Sequence, residues 1–95
     1  MTLEELLKRK KQILDIAKKR GAKNVRVFGS VVRNEAGNKS DVDILVDLEP
    51  GRTLFDLGGL LMDLQELLKC PVDIVTSKRL KKDIKEEVLN EAIAL

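Results

Sequence analysis

Residues 25–47 read VRVFGSVVRNEAGNKSDVDILVD, from Val25 to Asp47. Val25, Val27 and Phe28 form a short apolar strand that ends at Gly29. Ser30 can cap a short helical turn through Arg33 and Asn34. Glu35 to Lys39, with Gly37 and Asn38, has the composition of a polar loop. Val42 to Leu48 is a second apolar strand. Side chains two apart on a strand share a face. Val42, Ile44, Val46 and Leu48 therefore point to the core, and Asp41, Asp43, Leu45 and Asp47 point the other way. Two carboxylates, Asp41 and Asp43, come to lie beside the Gly29-Ser30 turn.

On the N-terminal side, Thr2 and Glu5 form a capping-box pattern that predicts a helix from about Leu3 to Arg20. Leu3, Leu6, Leu7, Ile13, Leu14 and Ala17 share one face of it. Lys10 falls within that face and must snorkel or mark the helix edge. Gly21 is the natural stop.

On the C-terminal side, Pro50-Gly51 closes the second strand, and Thr53 can cap a further helix with Asp56 at its third position. Leu57, Leu60, Leu61, Leu64, Leu67 and Leu68 form its apolar arc. Gly58-Gly59 inside this helix implies close packing or a local break, at about 1 kcal/mol per glycine relative to alanine. Val72 to Val75 is a third strand, with Asp73 facing away from Val72 and Ile74. Ser77 can cap a last helix whose core stripe is Leu80, Ile84, Val88, Ala92 and Leu95. Leu89 and Ile93 lie off that stripe, as incidental surface residues or a partner contact. The resulting order is α-β-(α)-β-α-β-α, an α/β (α+β) two-layer arrangement with a three-stranded sheet.

The chain has 95 residues, 43% hydrophobic and 36% charged, which fits one soluble domain over 1–95. No apolar run approaches a membrane span and no signal-peptide pattern opens the chain, so a cytoplasmic location is expected. Cys70 is the sole cysteine, which excludes an internal disulfide and suits a small core residue. Histidine is absent, which removes histidine bases, histidine triads and histidine zinc sites. Residues 1–26 carry nine Lys/Arg against three Asp/Glu, a basic end that is a solvated helix face or a surface for an acidic partner or a nucleic acid.

Asp41, Asp43 and Asp73 are the chemically informative residues. Three ionised carboxylates on neighbouring strands would repel one another, and one would tend to take up a proton. A pair of divalent cations removes that penalty. Oxygen-only ligands select hard ions, Mg²⁺ or Mn²⁺. Two such ions are the usual apparatus for in-line displacement at phosphorus. Gly29 lets phosphate oxygens approach the backbone, Ser30 adds a hydroxyl and Arg33 a forked donor. Each piece alone is weak. Gly-Ser, ten residues, Asp-x-Asp on a strand and a later Asp-bearing strand, in one order, are together specific.

In these residues the chain resembles a known family. Gly29-Ser30, Arg33 and Ser40-Asp-Val-Asp-Ile-Leu-Val46, with Val72-Asp-Ile-Val75, look like the signature of the DNA polymerase β-type nucleotidyltransferase superfamily. The length is similar to that of its minimal nucleotidyltransferases (MNT). The resemblance implies the nucleotidyltransferase fold over nearly the whole chain. It implies that Asp41 and Asp43 bind two Mg²⁺ ions and that Asp73 binds the catalytic one and helps deprotonate the acceptor. Gly29, Ser30 and Arg33 would hold the triphosphate of ATP. Such proteins are often antitoxins encoded beside a HEPN-domain ribonuclease toxin. They resemble enzymes that move AMP onto a tyrosine of that toxin in a type VII-like pair. Asn34 stands where family members commonly have glycine, which bears on the phosphate loop.

With only two aromatics, Phe28 and Phe55, the chain offers no stacking platform, so nucleic acid is not expected as a direct ligand. A protein acceptor that brings its own recognition surface is the first expectation, with the basic first helix and Leu89/Ile93 as docking candidates. A homo-oligomer is compatible with the same surfaces. A catalytically silent antitoxin that acts by binding, and nucleotidyl transfer to RNA or a small molecule, are the alternatives.

Overall fold

The structure, a computed structural model, describes residues 1–33 and 41–95. The expected polar loop Glu35–Lys39, and with it Asn34 and Ser40, lies outside the described residues.

The elements follow the expected order, with additions at both ends. The helices are α1 (Leu3–Lys8), α2 (Lys10–Lys19), α3 (Leu54–Leu68) and α4 (Lys82–Glu91). The strands are β1 (Ala22–Phe28), β2 (Val42–Leu48), β3 (Val72–Thr76) and β4 (Ile93–Ala94). They form one mixed sheet in the order β3-β2-β1-β4, so a fourth strand extends the three expected. β2 runs antiparallel to β1 and parallel to β3, and β4 is antiparallel to β1. The parallel pair is joined through α3, the ordinary solution for a parallel connection.

The single N-terminal helix expected over Leu3–Arg20 is two helices. Arg9, at φ −98° and ψ 7°, ends one and begins the next. The break falls in the charged segment between the fully buried Leu6 and Ile13. It resolves the conflict posed by Lys10, which stands exposed at the start of α2 instead of inside an apolar stripe. Leu7, expected on the core face, is 41% exposed. Thr2 does cap α1, accepting from the Glu5 N–H at 3.1 Å.

β1 starts three residues earlier than Val25. Asn24 has φ +52°, and the β1/β2 register shifts between Lys23 and Arg26. This bulge adds one residue to β1 and is seated on asparagine, which tolerates the left-handed region. α3 starts behind Thr53, as expected, and runs through the whole expected leucine arc to Leu68. Thr53 caps it, and the Asp56 carboxylate accepts from the Thr53 N–H at 3.0 Å to complete a capping box.

One core forms where α1, α2 and α3 cover a sheet face. Leu6, Ile13, Val27, Val42, Ile44, Val46 and Leu60 are completely buried there. Residues of Val, Ile and Leu type at strand period and helical period meet across this layer, which is the main stabilising term. Leu45 is also fully buried, although it lies on the opposite face with the aspartates. Central strands covered on both sides commonly read this way.

The last helix departs most from expectation. Ser77 does not cap it: Ser77–Arg79 form a 3₁₀ turn, and α4 begins at Lys82 behind Lys81, with no side-chain cap. The Ser77 hydroxyl instead donates to the Asp47 carboxylate. No residue of α4 is buried, and Ile84, expected in a core stripe, is 49% exposed. The helix stops at Glu91, so Ile93 belongs to β4 and Leu89/Ile93 is not one helix face. β-Branched Ile93 pairs with Val27, and the Leu95 N–H donates to the Val25 carbonyl at 3.0 Å.

Candidate active site

The site is built on the sheet face that α1–α3 leave uncovered. Asp43 pairs in register with Phe28 on β1 and with Asp73 on β3. Adjacent strands are about 4.8 Å apart, so the Asp43 and Asp73 side chains leave neighbouring backbones on the same face. Asp41 lies one residue before β2 and is exposed, as is Asp73. The structure thus brings Asp43 and Asp73, thirty positions apart in sequence, into direct register, with Asp41 at the entry to β2.

Their mutual influence is electrostatic. Burial raises the Asp43 carboxyl above the ordinary carboxylate range, and the charges of Asp73 and Asp41 push it further the same way. Arg33 opposes this and Glu91 adds to it. Among the described residues, no three His, Cys, Asp or Glu side chains are drawn together closely enough to enclose a metal ion. Even so, the donor set fits one. Asp43 and Asp73 are register neighbours on β2 and β3 and Asp41 lies one residue before β2, so a hard divalent cation held by these oxygens would offset the repulsion that raises Asp43.

Gly29 follows Phe28 directly and turns the chain at φ +78°. A Cβ on Gly29 would overlap the Asp43 carboxylate. The glycine is therefore required twice, by its backbone conformation and by the close approach of the carboxylate. Gly29–Val31 form a 3₁₀ turn capped by Phe28 with no side-chain bond, so Ser30 sits inside the turn and is not its cap. The amides of Val32 and Arg33 both close on the Gly29 carbonyl at 3.1 Å, which brings Arg33 back over the same end of the sheet.

A residue that sequence reasoning passed over completes this corner. Glu91, at the end of α4, accepts the Gly29 N–H at 2.6 Å. Its two carboxylate oxygens also accept from Arg33 Nη1 at 3.0 and 2.8 Å. The Arg33 bonds, and then the Gly29 amide, hold the Glu91 carboxyl below its usual range. Phe28, Gly29, Arg33, Asp43, Glu87, Val88 and Glu91 line a cleft of about 260 Å³ between α4 and the sheet. Nothing in the local sequence distinguishes Glu91 from the other acids of α4, because its role depends on where α4 docks.

At the far end of the same face lies a second polar cluster. Asp47 accepts from Asn24 at 2.9 Å, from Arg26 at 3.1 Å and from the Ser77 hydroxyl. Burial works against its charge, but the bonds from Ser77, Asn24 and Arg26 outweigh it and lower its pKa. The outward-facing position of Asp47 was legible from strand alternation, but its partners were not. Cys70 is half-buried against the core, and burial raises its thiol pKa. On α3 the exposed apolar residues are Leu54, Phe55 and Met62, a larger apolar exposure than Leu89 offers on α4.

Comparison with known proteins decides the family. The nucleotidyltransferase domain model matches residues 10–95. The chain belongs to the nucleotidyltransferase family. It is 41% identical over 98 residues to the protein adenylyltransferase MntA of Thermococcus cleftensis, covering 98% of this chain and 95% of that one. It is 40% identical over 84 residues to MJ0435 of Methanocaldococcus jannaschii, provisionally named a protein adenylyltransferase, covering 88% and 90% of the two chains. A solved structure provisionally assigned as a minimal nucleotidyltransferase superposes with a TM-score of 0.91 at 47% identity, over 100% of this chain and 97% of that one. A toxin–antitoxin crystal structure with AMP-PNP shares the fold, with a TM-score of 0.75 at 19% identity over 88% and 69% of the chains. The nucleotidyltransferase fold and activity class expected from the Gly-Ser and Asp-x-Asp residues are thereby established. Among the described residues, no helix is long and apolar enough to cross a membrane.

Proposed function

We propose that this nucleotidyltransferase transfers AMP from ATP to a hydroxyl of a partner protein, and that it serves as the antitoxin of a toxin–antitoxin pair. The observation that carries the chemical part is the meeting of Gly29 with Asp43. A glycine that allows close approach of a phosphate abuts a carboxylate suited to a hard cation. The protein acceptor is supported by the name of the relative MntA, a protein adenylyltransferase. The antitoxin role is supported by the toxin–antitoxin structures that share the fold.

In this reading Asp41, Asp43 and Asp73 would hold two Mg²⁺ ions, which would supply charge neutralisation at the phosphates and at the acceptor oxygen. The Gly29 N–H, the Ser30 hydroxyl and Arg33 bind and orient the triphosphate. Orientation for in-line attack is a large part of catalysis at phosphorus. The acceptor oxygen forms a bond to the α-phosphorus, and the bond from that phosphorus to the bridging oxygen breaks. Pyrophosphate leaves with the electron pair. The hydroxyl proton passes to the Asp73 carboxylate and then to solvent. The acceptor is a tyrosine of a HEPN-type toxin encoded beside this protein.

Incubation with α-labelled ATP, Mg²⁺ and the neighbouring toxin should label the toxin. The Asp41→Asn/Asp43→Asn double variant should not transfer label. Label on RNA or on an added aminoglycoside, with none on protein, would assign a different acceptor. Toxin neutralised equally well by the double variant would replace transfer with simple binding.

A further inference from the structure

We infer that α4 is a displaceable cover on the phosphate site, and that Glu91 is an internal anion which the nucleotide's triphosphate must evict. This rests on the reading that Gly29 and Arg33 receive phosphate. The Gly29 amide carries one hydrogen, and Glu91 accepts it at 2.6 Å. It cannot serve Glu91 and a phosphate oxygen together. Arg33 gives Glu91 two further contacts, both from Nη1, so the same cationic donor is engaged by a carboxylate. A carboxylate thus takes up, with the same donors, the place of a phosphate group.

Charge makes coexistence unfavourable. Asp43, Glu87 and Glu91 already share one cleft of about 260 Å³. A triphosphate added there would face all three acids, and Glu91 is the one it would meet at the shared donors.

The attachment of α4 allows the movement. α3 has a capping box and buries Leu60, Leu64 and Leu68, whereas α4 has no side-chain cap and buries nothing. Ile84 and Leu89 stand 49% and 41% exposed. At its C-terminal end the helix is held by the two residues of β4 and by Glu91 itself. Elements with few buried apolar contacts open at low free-energy cost.

Two measurements on the full chain test this. Calorimetric titration with ATP and Mg²⁺ should show Glu91→Gln binding about tenfold tighter than the unsubstituted protein, because a neutral amide competes poorly for Arg33. Hydrogen exchange of the unsubstituted protein should become faster across residues 82–91 at saturating ATP, with the amides of α3 unchanged. Equal or weaker ATP binding by Glu91→Gln overturns the inference, as does slowed or unchanged exchange in α4. If label transfer occurs while Glu91→Gln affinity is unchanged, the cover is refuted and the transferase reading stands. If Glu91→Gln binds ATP more tightly but no acceptor is labelled, the cover stands and the proposed acceptor chemistry falls.

Discussion

Gly29 and Asp43 are in direct apposition: the glycine turns at φ +78° where a side-chain carbon would occupy the space of the Asp43 carboxylate. Gly29→Ala therefore meets two separate penalties, a left-handed backbone and a steric overlap. The expected destabilisation is about 1–3 kcal/mol, typical of a strained backbone position. Urea unfolding should show it as a lower midpoint with unchanged slope. ATP binding by the folded fraction should be lost as well, since the amide is displaced from its place beside Asp43.

Asp43→Asn should separate stability from activity. The folded-state pKa of Asp43 is raised, by burial first and then by Asp73 and Asp41. A raised carboxylate costs stability above its folded pKa, and that cost is relieved as pH falls through it. Without metal at neutral pH, the amide should stabilise the fold by about 0.5 kcal/mol after allowance for solvent screening. That corresponds to roughly 2–4 °C in Tm for a domain of this size. Nucleotidyl transfer should fall to background in the same variant. A lower Tm in metal-free buffer would contradict the repulsion between the three acids.

The Asp47 cluster predicts the opposite pH behaviour. Its pKa is lowered, because the bonds from Ser77, Asn24 and Arg26 outweigh burial. The resulting stability is complete above the unfolded aspartate pKa and is lost as pH falls through the lower folded value. Asp47→Ala should flatten the acid limb of a stability-against-pH curve. It also leaves the largely buried Arg26 without its carboxylate, and among the described residues Arg26 Nη1 already has no partner. The loss at pH 7 should be about 1–3 kcal/mol by thermal or chemical unfolding.

The paired glycines of α3 should respond differently to alanine. Space around a Cβ on Gly58 is open, so Gly58→Ala should gain the helix-propensity difference of about 0.5–1 kcal/mol. A Cβ on Gly59 would meet the Arg20 guanidinium, which pairs with Asp63 at 3.0 Å. Both partners are partly exposed, so the pair is worth about 0.2–1 kcal/mol. Gly59→Ala should therefore be close to neutral. Equal stabilisation by both substitutions would show that Arg20 rearranges at no cost.

The parts of the fold most legible in the sequence were those where local and long-range signals agree. β2 is read correctly because its alternation, its aspartates and its Pro50-Gly51 stop coincide. α3 is read correctly because Thr53 and Asp56 frame a continuous leucine arc. The break at Arg9 was hidden because both halves of the N-terminal segment are helical and only Lys10 signalled a conflict. β4 was hidden because two residues carry no periodicity, and Val88, Ala92 and Leu95 keep helical spacing across the true helix end. The site followed the same rule. Asp43 and Asp73 lie on strands whose faces the alternation determines, and Asp41 and Gly29 directly adjoin the ends of β2 and β1. Glu91 reaches them from a helix that buries nothing, so its placement has no signature in hydrophobic pattern.

The register between β2 and β3 has a consequence for how errors in folding would be handled. Val42 opposes Val72 and Asp43 opposes Asp73, so the two aspartates are aligned by the same pairing that buries the two valines. A slip of β3 by one residue would turn Asp73 into the core and Val72 out to water. The misaligned chain would therefore pay for a buried carboxylate and a lost apolar contact at once. Proofreading of the catalytic geometry is in this way delegated to the hydrophobic layer beneath it. A molecule that has packed its valines has, by that act, also matched its aspartates.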